Sequence, residues 1–284
     1  AGAAAVVMRS LFEEQLQQES LAAMKHLDGH SDFYAEATSY FPSTDVFALR
    51  AEAYLQQLRR IRDAVPVPVI ASLNGTTLGG WLDYAQQLEQ AGASALELNL
   101  YSLPSSPTLS ATDIEHAQLQ IISQVAHSVK IPVAVKLSPF YTSLPHFVAD
   151  IAKTGARGVV LFNRFYQPDI DIEALENQLE LHLSDPSELL LRLRWLAIVS
   201  PRTELSLSCS GGVHSATDAI KALMAGAHAV QMVSTLLRHG PRQLRKILDE
   251  MTHWLDAHEY SSMEQLRGSM NHARSPNPAA YERA

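Results

Sequence analysis

Apolar residues along the chain gather in short runs, separated by longer stretches in which they recur at helical spacing. A repeated phrase marks many of the junctions. Ala1-Gly2-Ala3 precedes AAVVM, Ala91-Gly92-Ala93 precedes SALELNL, Thr154-Gly155-Ala156 precedes RGVVLFN, and Ala225-Gly226-Ala227 precedes HAVQMVS. Glycine ends a helix in the left-handed conformation without a Cβ penalty, so each copy reads as a helix stop followed by a strand. Runs of a second kind follow Pro66-Val67-Pro68 (VIASLN), Ile131-Pro132-Val133 (AVKLS) and Glu204 (LSLSCS). The pattern predicts seven strands, near 3–8, 68–74, 95–101, 132–138, 158–164, 204–210 and 228–234.

Strands alternating with helices in this way imply a parallel sheet built from βα units. The expectation is an α/β fold, a (β/α)8 barrel over 1–260 whose first βα unit is missing from this chain, with 261–284 as a loosely packed C-terminal extension. A complete barrel takes about 250 residues, which suits the length; an open doubly wound sheet fits the same spacing. Residues 165–187, YQPDIDIEALENQLELHLSDP and its flanks, are expected as an insertion.

Composition narrows the partners. With 46% hydrophobic and 18% charged residues the chain has the makings of one large core, and a net charge of −8 argues against nucleic acid or an anionic membrane. The single cysteine, Cys209, lies in a predicted strand and fits a reducing, cytoplasmic setting. No run approaches membrane-spanning length. His26 and His30 have ligand-like spacing but no third partner in place, so they read as surface residues and no metal is expected. Glu13 and Glu14 suit the first turn of a helix, and Tyr40-Phe41-Pro42 lies in a long connection that could cover a site or form a satellite cluster.

In a parallel barrel, function gathers at the C-terminal ends of the strands. Taking alternate residues gives the inward series Ile70, Ser72, Asn74; Ala95, Glu97, Asn99; Ala134, Lys136, Ser138; and Val159, Leu161, Asn163. Polar residues collect at the same end of these strands. Lys136 in PVAVKLSP either pairs with Glu97 in the core or faces a ligand. Facing a ligand, it could form a Schiff base with a carbonyl or stabilise an anion that develops on a cofactor. Ser210-Gly211-Gly212 and Ser234-Thr235 follow the last two strands, where such barrels grip phosphate.

These motifs resemble the dihydroorotate dehydrogenase-like FMN oxidoreductases, closest to the soluble class 1 branch. The resemblance spans nearly all of 1–260 and is carried by ALELNLYSLP, PVAVKLSP, LFNRF, SCSGGV and GAHAVQMVSTLLRHGP in the family's order. It implies FMN across the barrel mouth, with Lys136 near flavin N1 and O2 stabilising the reduced anion. Asn74, Asn99 and Asn163 would lie around the ring, Asn99 and Asn163 also meeting substrate, and Ser210, Gly211, Gly212, Ser234 and Thr235 would hold the phosphate. Counting from Asn99 places Ser102 at the family's catalytic base; its other reading is an ordinary loop hydroxyl. The resemblance further implies a homodimer acting on a small dihydropyrimidine-like molecule. It departs where the class 1 enzymes carry a lysine-bearing segment and this chain reads Arg9-Ser10-Leu11-Phe12, and where Pro104 replaces an asparagine. An aldolase-type barrel using Lys136, and a non-catalytic barrel binding a phosphorylated ligand, are the competing readings.

Overall fold

The computed structural model describes residues 1–12, 45–75, 77–100, 103–164, 168–178 and 182–283, with side chains from 51 onward in the second of these segments. It contains two compact units, one formed by 4–99 with 116–133, the other by 1–3, 100–115 and 134–284.

In the first unit, β1 (Val6–Phe12), β2 (Val69–Asn74) and β3 (Ala95–Asn99) run parallel, and α1 (Asp45–Ala64) and α2 (Leu78–Gln90) connect them. Alternation sorts each strand into two faces. Val69, Ala71, Leu73, Leu96 and Leu98 are fully buried together with Leu58, Ala85 and Leu88 of the helices, while Ser72, Glu97 and Asn99 point the other way. The phenol of Tyr54 ties α1 to the sheet: it donates to the Arg9 carbonyl at 2.8 Å and accepts the Ser72 N–H at 3.3 Å. Burial pushes this phenol up to about 12. α2 starts at Thr77, whose hydroxyl accepts the Gly80 N–H at 3.0 Å, and ends at Gly92, held at φ 94°.

In the second unit, β4 (Val133–Leu137), β5 (Gly158–Leu161), β8 (Ser206–Ser210) and β9 (Ala229–Gln231) are parallel, and β6 (Asp169–Asp171) pairs antiparallel with β7 (Glu176–Gln178). Between and after them come α4 (Leu144–Ile151), α5 (Leu189–Val199), α6 (Ala216–Ala225), α7 (Ser234–His239) and α8 (Arg242–Ala257), then the short α9 (Met263–Leu266) and α10 (Ala279–Glu282); α3 (Ala111–Ser128), most of which belongs to the first unit, precedes β4 in the chain. A reciprocal cap opens α6: Ser215 Oγ accepts the Asp218 N–H while the Asp218 carboxylate accepts the Ser215 N–H.

The fold is the parallel, helix-alternating α/β class expected of a partial (β/α)8 barrel. Three details differ from the sequence pattern. β1 extends to Phe12 because its ladder to β2, irregular between Val7 and Ser10, resumes with Ser10, Leu11 and Phe12 opposite Ser72, Leu73 and Asn74, so the polar Arg9-Ser10 pair continues the strand instead of ending it. In β5, Val159 and Leu161 register with the buried Val135 and Leu137, and it is Val160 that shares the face of Lys136. The inward series Val159, Leu161 therefore lies on the opposite face, because a strand apolar at every position carries no alternation to fix its phase. The tail beyond Ser261 is not loosely packed. Leu266 is fully buried against Ile220 and Leu223, and the Gly268 and Met270 N–H groups donate to the Leu223 and Met224 carbonyls at 3.0 and 2.9 Å.

The expected insertion holds the β6–β7 hairpin. Asp171 shapes its turn, accepting the Glu173 and Ala174 N–H groups at 2.9 Å each.

Candidate active site

Two sets of polar groups occupy the strand ends, one in each unit. In the first, the side chains of Ser10, Ser72 and Asn99 meet on the face away from the helices. Asn99 Nδ2 donates to Ser10 Oγ at 2.6 Å and to Ser72 Oγ at 2.8 Å, and the two hydroxyls lie 2.9 Å apart. Both amide protons are therefore used. The Asn99 oxygen is buried and has no partner among the described residues, an acceptor left for a ligand N–H or O–H. Asn74 is half-buried at the end of β2.

In the second unit, register places Ala134, Lys136, Val160, Ser208, Ser210 and Gln231 on one sheet face. Lys136 Nζ donates to Gln231 Oε1 at 3.4 Å. Asn163 follows β5, its N–H bonded to the Leu137 carbonyl at 2.7 Å and its Oδ1 accepting the Arg164 N–H at 2.9 Å.

The loop after β8 is built on glycine. Gly211 and Gly212 hold φ of 93° and 80°, and a Cβ on Gly212 would sit 2.5 Å from the Leu189 nitrogen. Ser184, nearly buried, joins this loop to the one after β9: its Oγ accepts the Gly212 N–H at 3.5 Å, and its own N–H donates to Ser234 Oγ at 3.0 Å. The next residue, Thr235, is completely buried and its hydroxyl has no partner among the described residues. Two backbone turns that only glycine can make, the Ser234 hydroxyl and an unsatisfied Thr235 hydroxyl fit a bound phosphate group.

Beneath the turn lies Arg192 of α5, only 6% exposed. Its Nε donates to the Ser210 carbonyl at 3.0 Å and its Nη1 to the Glu188 carbonyl at 2.7 Å, while Nη2 lies 3.3 Å from the Glu188 carboxylate. Glu188 holds Arg164 with its other oxygen, also at 3.3 Å. Cys209, one residue before Ser210, is shut in the core, and burial pushes its thiol up to about 12. The Asp185 carboxyl at the same surface is held below the usual carboxylate range by hydrogen bonds from the Ser187 hydroxyl and N–H.

The structure thus brings Lys136, Ser210, Gly211, Gly212, Asn163, Ser234 and Thr235 to the strand ends of one unit, and Asn74 and Asn99 to those of the other. Ser102 lies outside the described residues, as do Glu13, Glu14, His26, His30 and Tyr40-Phe41-Pro42. Sequence reading missed Ser10, Gln231, Ser184 and Arg192. Gln231 could have been found by extending the alternation through HAVQMVS; Arg192, an arginine in the apolar run LLLRLRWLAIV, carried a visible signal that its charge was buried for a reason.

A parallel, helix-alternating α/β chain with a lysine at a strand centre and a doubled glycine at a strand exit defines a protein of the partial (β/α)8 barrel class. Sequence comparison makes the assignment specific. Residues 48–255 match the dihydroorotate dehydrogenase family, and the chain belongs to that family. It is 30% identical over 226 residues to a protein of Aeropyrum pernix named for dihydroorotate dehydrogenase A (fumarate), covering 77% of this chain and 72% of the relative. It is 30% identical over 223 residues to the dihydroorotate dehydrogenase B (NAD(+)) catalytic subunit of Shouchella clausii, covering 75% and 71%. The corresponding subunit of Thermoplasma acidophilum aligns over 277 residues at 27% identity, covering 94% of this chain and 86% of the relative.

Proposed function

We propose that this oxidoreductase oxidises dihydroorotate to orotate, the CH–CH oxidation of pyrimidine biosynthesis, with FMN as its cofactor. The family match over 48–255 carries the reading, and the glycine turn with the buried, unsatisfied Thr235 hydroxyl supports a phosphorylated cofactor. The Schiff-base aldolase and the silent phosphate-binding barrel are not favoured, because neither accounts for that match.

When bound, FMN supplies a two-electron acceptor that takes hydride at N5. The chain supplies the rest. Gly211, Gly212, Ser234 and Thr235 hold the phosphate end, and Ser210 fixes the strand exit leading to them. Lys136, steadied by Gln231, sets a positive charge where negative charge develops, which stabilises that charge without reorganisation during the reaction. Asn99 offers its free oxygen to a ring N–H, while Asn74 and Asn163 flank the ring. Ser102 is the proposed base, taking the proton from the carbon next to the one that gives up hydride; a serine there needs a neighbour or a water to accept the proton onward. We further assign the enzyme to the cytoplasm as a homodimer.

The test is the visible spectrum of the purified protein and identification of any released chromophore. Stoichiometric FMN, bleached on anaerobic addition of dihydroorotate, is the expected result. Colourless protein that takes up no added FMN would overturn the flavin reading.

A further inference from the structure

Along α5, Leu189, Arg192, Leu196 and Val199 form one buried stripe, and three of the four are aliphatic. An arginine in that stripe is an expensive choice. Taking a guanidinium from water costs several kcal/mol, and an apolar residue of similar volume often does as well or better for stability. Burial indeed disfavours the charged form here, yet the guanidinium stays protonated because its ordinary value is so high. Stability alone gives no reason for Arg192; its surroundings give another.

The guanidinium lies directly under the glycine turn. It grips the Ser210 carbonyl, the last of β8, and an ideal Cβ on Gly211 would lie 2.9 Å from Arg192 Nη2. Through the Glu188 carboxylate it connects to Arg164, which adjoins Asn163. The three charges, two guanidinium groups and one carboxylate, sum to +1 below a turn read as a phosphate site. Arg192 is the buried member, so its charge is the least screened of the three and favours an anion on the turn.

We propose that Arg192 is a positioning residue for the phosphate end of the site: it fixes the Ser210–Gly212 backbone and lends positive potential to the anion above without touching it, while Glu188 holds both arginines in place. The proposal rests on the FMN reading and assigns to one buried side chain part of the preference for a phosphorylated over an unphosphorylated flavin.

Its test compares FMN and riboflavin binding, by flavin fluorescence, in the wild type, Arg192→Met and Arg192→Lys. In Arg192→Met the Ser210 carbonyl keeps the Phe162 N–H at 3.3 Å, so no acceptor is orphaned there, and thermal melting verifies the fold. FMN affinity is expected to fall about tenfold or more in Arg192→Met, with riboflavin affinity within about twofold of wild type and Arg192→Lys recovering part of the loss through its charge. Equal weakening of both flavins, or of neither, would overturn the proposal. If the wild type binds no FMN, the flavin reading fails by itself, and inorganic phosphate becomes the probe. A phosphate-induced rise in melting temperature that disappears in Arg192→Met would uphold the positioning role, and an unchanged rise would sink it.

Discussion

Replacing Gly212 by alanine tests the glycine turn most directly, because the cost divides into two parts that other glycines separate. Gly212 stands at φ 80°, and its added Cβ would meet the Leu189 nitrogen at 2.5 Å and the Leu189 Cα and Cβ at 2.9 Å. Backbone atoms at a helix start cannot swing aside as a side chain can. Gly240 is the comparator: it lies at φ 76°, ψ 171°, a region essentially reserved for glycine, but nothing lies within 4 Å of its Cβ position. Gly240→Ala should therefore lose only the conformational penalty, about 1–3 kcal/mol. Gly212→Ala carries a comparable penalty plus the displacement of α5, about 1–3 kcal/mol more. Gly211→Ala, whose Cβ meets only the end of the Arg192 side chain, should fall between them. In a chain of this size about 1 kcal/mol moves the melting temperature by roughly 2–4 °C, so the order is readable by calorimetry. Gly212→Ala melting at or above Gly240→Ala would refute the tight approach of the turn to α5.

Further consequences follow from the same geometry. Lys136→Met should leave the fold intact and slow anaerobic flavin reduction by dihydroorotate about 100- to 1,000-fold in stopped flow; unchanged reduction would remove Lys136 from the chemistry. Ser72→Ala takes one of two acceptors from the Asn99 amide and should cost about 1–3 kcal/mol in urea unfolding. Leu266→Ala empties a fully buried site and should cost about 2–5 kcal/mol, whereas a tail that merely hangs from the fold would show no loss. The Cys209 thiol and Tyr54 phenol, both raised to about 12 by burial from ordinary values of 9.0 and 10.0, stay protonated in the folded state while the unfolded chain ionises. Their contribution is complete below about pH 9 and is lost as pH rises toward 12, so stability should decline through that window; a thiol reagent at pH 8 should label Cys209 only after unfolding.

What could be read from the sequence follows from which features are local. The helix-to-strand junctions were legible because Gly92, Gly155 and Gly226 each carry a positive φ that the chain must encode in place, and the structure holds them at 94°, 93° and 119°. Lys136 and the Gly211-Gly212 pair were legible for the same reason: a charge inside a strand and a doubled glycine each conflict with their immediate context, and such conflicts mark functional sites. The phase of β5 was not, since four buried residues in succession look the same from either face until β4 supplies the register. Nor was the Ser10–Ser72–Asn99 cluster, whose members lie up to 89 residues apart and meet only through strand pairing. Arg192 falls between these cases. Its burial could be read from the apolar run around it, but its purpose could not, because Ser210, and Arg164 by way of the neighbouring Glu188, come to it from distant segments. A charge whose burial is local and whose partners are distant is therefore where the sequence announces a site without saying what it serves, and where the structure adds the most.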